Sequence, residues 1–219
     1  MSRIKGRNQM KDIFSYNSDV NKTAYMNWRT SHHDHIYNMI VIADGFMNSA
    51  IMLVEAALID NSDKKADSLI YPIIFNANHA IELYLKATVW TLNILLDNQQ
   101  KIEGQHDIQQ ILQTVIKRVK EFETDKEKRK QFENMINGTK LYVDELFEKI
   151  ATQNGKRKKD NMDFSRYPFD QKYMPHFYIT EFDNVVVDLE NFVQRFKEIG
   201  ENLRLISTYY LFDILEAGE

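Results

Sequence analysis

Phe75-Asn76-Ala77-Asn78-His79-Ala80-Ile81-Glu82-Leu83-Tyr84-Leu85-Lys86-Ala87 reads as the interior of a helix. Within it His79, Glu82 and Lys86 recur at i, i+3 and i+7, which stacks an imidazole, a carboxylate and an ammonium along one stripe. The opposite stripe, Ile74, Ala77, Ile81, Leu85, Thr88, Leu92 and Leu95, is apolar and is expected to face a core. Ala80, Leu83, Ala87 and Trp90 fill the surface between, so the helix is hydrophobic nearly all round. A polar stripe on such a helix is expected to be partly buried, and buried charge has to be paired.

Working outward, the same helix is expected over about 66–98, with Pro72 tolerated in its first turns. A preceding helix over about 33–59 keeps Ile36, Ile40, Ala43, Met47, Ala50, Val54 and Ala57 at spacings of three and four. After Gly104, Asp107 and Gln110 form a D-x-x-Q capping box that opens a third helix to about 123. A fourth is expected over about 125–152, with a kink at Gly138, and a last one over about 183–216. Pro168 and Pro175 make 163–182 irregular. The expected fold is all-α: an up-and-down bundle of about five long helices over 33–219, with a loop insertion before the last and an N-terminal arm over 1–32.

Composition agrees and excludes several chemistries. The chain has 219 residues with only 7 Gly and 3 Pro, too few for the turns of a sandwich or barrel. Zero Cys removes disulfides, thiolate metal sites and cysteine nucleophiles. A net charge of −4 gives no global attraction to nucleic acid or anionic lipid, so any such binding needs a local patch. Asp44, Asn48 and Glu55 interrupt the most apolar stretch, Ile36 to Ile59, so no membrane span is expected and a cytoplasmic location is the default. No Gly-rich phosphate loop and no G-x-S-x-G elbow are present, which argues against common nucleotide hydrolases and serine hydrolases.

Three segments, Ala80-Ile81-Glu82-Leu83-Tyr84-Leu85-Lys86-Ala87, His106-Asp107-Ile108 and Arg166-Tyr167-Pro168, occur in an order and spacing that resembles bacterial members of the HEPN superfamily. Those chains pair an A-x-E-L-x-L-K-A helix with a G-H-D-L-like helix start and a later R-Y-P segment. The resemblance covers about 70–210. It implies a four- or five-helix bundle that often dimerises, and an RNA-cleaving toxin or defence effector, or a protein that only binds nucleotides or partner proteins. Catalytic members carry R-x(4–6)-H near the start of a late helix and cleave RNA without a metal, leaving a cyclic phosphate. This chain departs from that signature. Arg166 is followed by no His until His176, and the last helix has Arg195 and Arg204 but no His. The literal match, Arg29 to His35, lies at the other end of the chain.

A non-standard site is therefore considered, with His106 and Arg166 as catalytic candidates. His106 precedes a helix N-terminus, where free N–H groups favour a phosphate. Arg166 would clamp that phosphate while His106 moves a proton. Asn78, His79, Glu82, Lys86, Asp107, Tyr167 and Asp170 are the binding candidates, and Lys156, Arg157, Lys158 and Lys159 would attract the RNA backbone. Structural readings stand beside these. His79, Glu82 and Lys86 can form a buried network that fixes helix register, with Glu82 pairing to the planar fork of Arg166. Asp107 can serve simply as a cap, and the basic run as a solvated loop. His32-His33-Asp34-His35 lacks the partner cluster that a structural zinc needs, and no metal or cofactor is expected.

Two functions follow as expectations. One is an RNA- or nucleotide-directed protein, a bacterial defence or toxin component with metal-independent endoribonuclease activity. The other is a noncatalytic dimeric module that binds a cognate protein. A homodimer is expected because Met39, Phe46 and Leu53 form a second apolar stripe on the first helix.

Overall fold

Helices begin where a short polar side chain can take up their free N–H groups, and four aspartates do so here. In the computed structural model, which describes residues 11–99, 105–151, 163–170, 172–180 and 184–216, Asp34 accepts the Tyr37 N–H at 2.8 Å and opens α1, His35–Ile59. Asp107 accepts the Gln110 N–H at 3.0 Å and opens α3, Ile108–Phe122. Asp125 accepts the Glu127 N–H at 2.7 Å ahead of α4, Lys126–Ala151. Asp188 accepts the Asn191 N–H at 3.0 Å and opens the last long helix. Between α1 and α3 runs α2, Ala66–Leu95, where the Asn61 side chain accepts the Ala66 N–H at 3.0 Å. A four-residue α5, Phe177–Thr180, precedes α6, Leu189–Thr208, which continues as a π-helix over Tyr209–Leu215. The described residues contain no strand, only an isolated bridge between Phe169 and Pro175. The chain is an all-α helical bundle.

The last helix starts later than its periodicity suggests, because Asp188 supplies a cap and the preceding Val185-Val186-Val187 resists helical χ1. Pro72 lies inside α2. It leaves the Ser68 carbonyl without its intrahelical partner, at an exposed position where water can serve.

The core is built around α2, which packs against α1, α3 and α6, while α4 closes on α3 and α6. Ala77, Ile81, Leu85, Thr88 and Leu92 of its expected apolar stripe are all buried, as are Ala80, Tyr84 and Ala87. Gly138 does not break α4, and a Cβ there would make an ordinary 3.6 Å contact with Ile199 Cγ1 of α6. Gly200 is tighter still, since a Cβ would lie 2.8 Å from Met47 Cγ on α1. Gly200→Leu is therefore expected to cost about 2–3 kcal/mol by overpacking, seen as a lower urea midpoint with unchanged slope.

Among the described residues α1 is long and apolar enough to cross a bilayer by length and composition alone. Its packing is that of a bundle helix. Ile40, Ala43, Met47, Ala50 and Val54 are buried in the core, and Glu55 pairs with Lys197 of α6 at 2.6 Å. Met39, Phe46 and Leu53, expected to meet a second copy, are partly buried against this core, which takes up much of that apolar surface within the chain.

The described residues of the arm, 11–32, keep large aromatic side chains in solvent. Phe14 and Trp28 are 91% and 77% exposed, and Tyr16, Tyr25 and Trp28 cluster with one another. It joins the bundle at Ser31, whose backbone exchanges two 2.7 Å hydrogen bonds with the Asn38 side chain.

Candidate functional site: a histidine held on a buried glutamate

Glu82 is 6% exposed, on a face of α2 that α3 and the chain before it cover. A carboxylate so placed has to collect partners. Its Oε1 accepts from Lys86 Nζ at 2.7 Å, one turn on, and faces His106 Nδ1 at 2.9 Å. Its Oε2 faces His79 Nδ1 at 3.6 Å, too long for a hydrogen bond but close enough for attraction. Burial alone would raise the Glu82 pKa. His79, Lys86 and His106 together outweigh it and hold the carboxyl at about 2.

His106 reaches this carboxylate because Asp107 and Ile108 pin the start of α3. Ile108 is fully buried, and Asp107 accepts from the Gln110 backbone through Oδ1 and from the Gln110 side chain through Oδ2 at 3.1 Å. The expected cap thus forms, but in place of the capping box's return bond to the Asp107 backbone N–H the Gln110 side chain bonds the Asp107 side chain. Asp107→Ala is expected to cost about 1 kcal/mol and to loosen His106, read as a lower melting temperature and faster amide exchange at the start of α3. Facing an ionised carboxylate, Nδ1 is the donor, and in the neutral imidazole this leaves Nε2 as the acceptor. The His106 side chain is 52% exposed, so this second nitrogen has access to solvent.

Arg166 arrives on the same helix from the other end. The 3-10 turn Asp163–Ser165 packs on α2 through buried Phe164 and Ser165, and places the arginine beside Phe75. The expected Glu82–Arg166 pair does not form. The guanidinium pairs with Asp163 and lies over the rings of Phe75 and Tyr167, at 5.8 and 5.7 Å from their centroids. Asp163 is three residues away on the same turn, whereas Glu82 already hydrogen-bonds Lys86 and His106 and faces His79. Phe75 stacks in turn on His79, with centroids 5.7 Å apart and planes 8° from parallel, and Phe46 meets His79 edge-on at 4.6 Å. A continuous file of Arg166, Phe75, His79, Glu82 and His106 results. Its anchor points on α2 are seven residues apart, or about 10 Å.

The remaining candidates separate. Asn78 is fully buried on another face, accepting from the Tyr142 hydroxyl at 2.7 Å and tying α2 to α4. Tyr167 is exposed beside Arg166, and its carbonyl accepts from the Tyr178 hydroxyl at 3.2 Å. Asp170 organises a tight turn by accepting from the Lys172 and Met174 backbones at 2.8 and 3.0 Å. Lys156, Arg157, Lys158 and Lys159 lie outside the described residues.

A second polar link escaped the sequence reading. Tyr84, buried in α2, donates to Asp44 of α1 at 2.5 Å, and Arg204 of α6 sits 3.5 Å from the same carboxylate. Burial and the neighbouring Asp44 drive the Tyr84 phenol far above its ordinary value, so it remains a donor. The three residues come from three helices, so no periodicity along the chain could pair them. Comparisons of the chain with protein-family models, with curated proteins and with solved structures find no match.

Proposed function

We propose that this chain is an RNA- or nucleotide-directed protein of HEPN-like type, a cytoplasmic bacterial defence or toxin component that cleaves RNA without a metal. The observation that carries the reading is the half-exposed His106 held by Nδ1 on a buried, ionised Glu82. A carboxylate that orients one imidazole nitrogen leaves the other poised to accept a proton. In the proposed reaction His106 Nε2 takes the proton of a ribose 2′-hydroxyl. The 2′-oxygen bonds to phosphorus, the bond from phosphorus to the 5′-oxygen breaks, and the proton passes to that leaving oxygen. The products are a 2′,3′-cyclic phosphate and a 5′-hydroxyl. Arg166, anchored about 10 Å away along α2, suits a flanking phosphate better than the scissile one.

A noncatalytic, dimeric protein-interaction module is the second reading. It is favoured by the carboxylates that Lys86 and Arg166 already carry, and by the exposed Phe14, Met26 and Trp28 of the arm, which suit a protein surface. Fluorescence anisotropy with a single-stranded RNA separates the two. The first reading expects saturable binding whose logarithm falls with log salt by about 0.7 per phosphate engaged, weakened about tenfold by Arg166→Ala. Absence of binding at low salt by the folded protein contradicts it and supports the interaction module.

A further inference from the structure

On α2 Tyr71 stands one turn before Phe75, on the side away from Glu82. With Phe164, Arg166, Pro168, Tyr178 and Ile179 it lines a pocket of about 450 Å³, within the size range of small-ligand sites. Tyr71 is exposed, and its ring lies 5.4 Å from that of Tyr178 with the planes 55° apart. The Tyr178 hydroxyl donates to the Tyr167 carbonyl at 3.2 Å, which holds that ring in place. Two rings so close admit no third between them, so a flat ligand stacks on the open face of Tyr71.

Arg166 is the one charged side chain among the described residues that line this pocket. It is paired with Asp163, but the guanidinium is the outer member, 41% exposed against 19% for the carboxylate. The pocket thus presents an aromatic platform with positive charge at its edge. A nucleotide uses both parts, its base on the ring and its phosphate at the guanidinium. A neutral aromatic would leave the cation unused, and a free anion would leave the ring unused. Tyr71 lies eleven residues before Glu82, about 16 Å along α2. A base stacked there belongs to a nucleotide flanking the one whose 2′-hydroxyl meets His106, not to that nucleotide itself.

We propose that this pocket binds the base of a flanking RNA nucleotide, stacked on Tyr71, with its phosphate at Arg166. The inference rests on the RNA-directed reading and adds to it a dependence on bases rather than on backbone charge alone. The probes are a fluorescein-labelled hexamer of 2′-O-methyladenosine, which cannot be cleaved through its 2′-oxygen, and the same backbone without bases. Binding of each to the full chain is followed by fluorescence anisotropy at one low salt concentration. The wild type is expected to bind the adenine hexamer at least about fivefold more tightly than the abasic one, the gain from stacking one base. Tyr71→Leu, at an exposed position and checked for fold by circular dichroism, is expected to erase that preference while keeping the abasic affinity. Tyr71→Phe is expected to retain it. Equal affinity of the wild type for the two hexamers overturns the base pocket and leaves the RNA-directed reading standing. So does a preference that survives Tyr71→Leu. Binding of neither hexamer by the wild type contradicts the RNA-directed reading itself, and this inference with it.

Discussion

Under the proposed RNA-cleaving function, replacing His106 by alanine is expected to lower the cleavage rate by about 10²–10⁴-fold at saturating RNA, the usual contribution of a positioned acid–base group. The fold should be nearly indifferent to the change. His106 is half exposed, and Glu82 retains Lys86 at 2.7 Å when the imidazole is gone. A stability loss within about 1 kcal/mol is therefore expected. Arg166→Ala should behave differently: its guanidinium stands over Phe75, and its removal should raise KM about tenfold with a smaller effect on kcat. Single-turnover and steady-state kinetics on both folded variants check the split. Equal losses in kcat from the two would mean that Arg166 acts at the scissile phosphate, against the placement along α2.

The second large effect is on stability. Glu82→Ala removes the carboxylate that satisfies Lys86, whose side chain is only 12% exposed, and is expected to cost about 3 kcal/mol. Replacing both partners, as Glu82→Leu with Lys86→Met, should recover most of that loss, because no charge then remains buried. Urea denaturation of the two variants measures the difference. The pH dependence follows from the same group. The folded carboxyl titrates at about 2 against an ordinary 4.5, so the folded state is favoured above the higher value. That contribution is lost as the pH falls from about 4.5 towards 2, and Glu82→Gln should flatten the stability curve across this window.

How far these features were legible in the chain varies by residue. The helices were, because spacings of three and four run through Ile36 to Ala57 and through Ala77 to Leu92, and those side chains are buried as expected. Glu82 was also legible as a paired, buried acid, since a carboxylate on a helix apolar nearly all round has no other stable state. His106 was legible through Asp107, whose cap fixes where α3 begins. The partner of Arg166 was not. A fork that fits any carboxylate cannot be assigned from type alone, and the local Asp163 took it before the distant Glu82. The Asp44–Tyr84–Arg204 link leaves no periodic trace, because it depends on how three helices meet. The HEPN-like resemblance rests on three short segments, and the function drawn from it is a proposal that the Glu82–His106 geometry supports.

The most direct test is to incubate the purified chain with tRNA and a mixed-sequence RNA in EDTA and to map the product ends, with folded His106→Ala alongside. Fragments ending in 2′,3′-cyclic phosphate and 5′-hydroxyl, formed by the wild type and lost in the variant, are the predicted result. Intact RNA after incubation with the wild-type protein, or cleavage that His106→Ala leaves unchanged, would contradict the role assigned to His106.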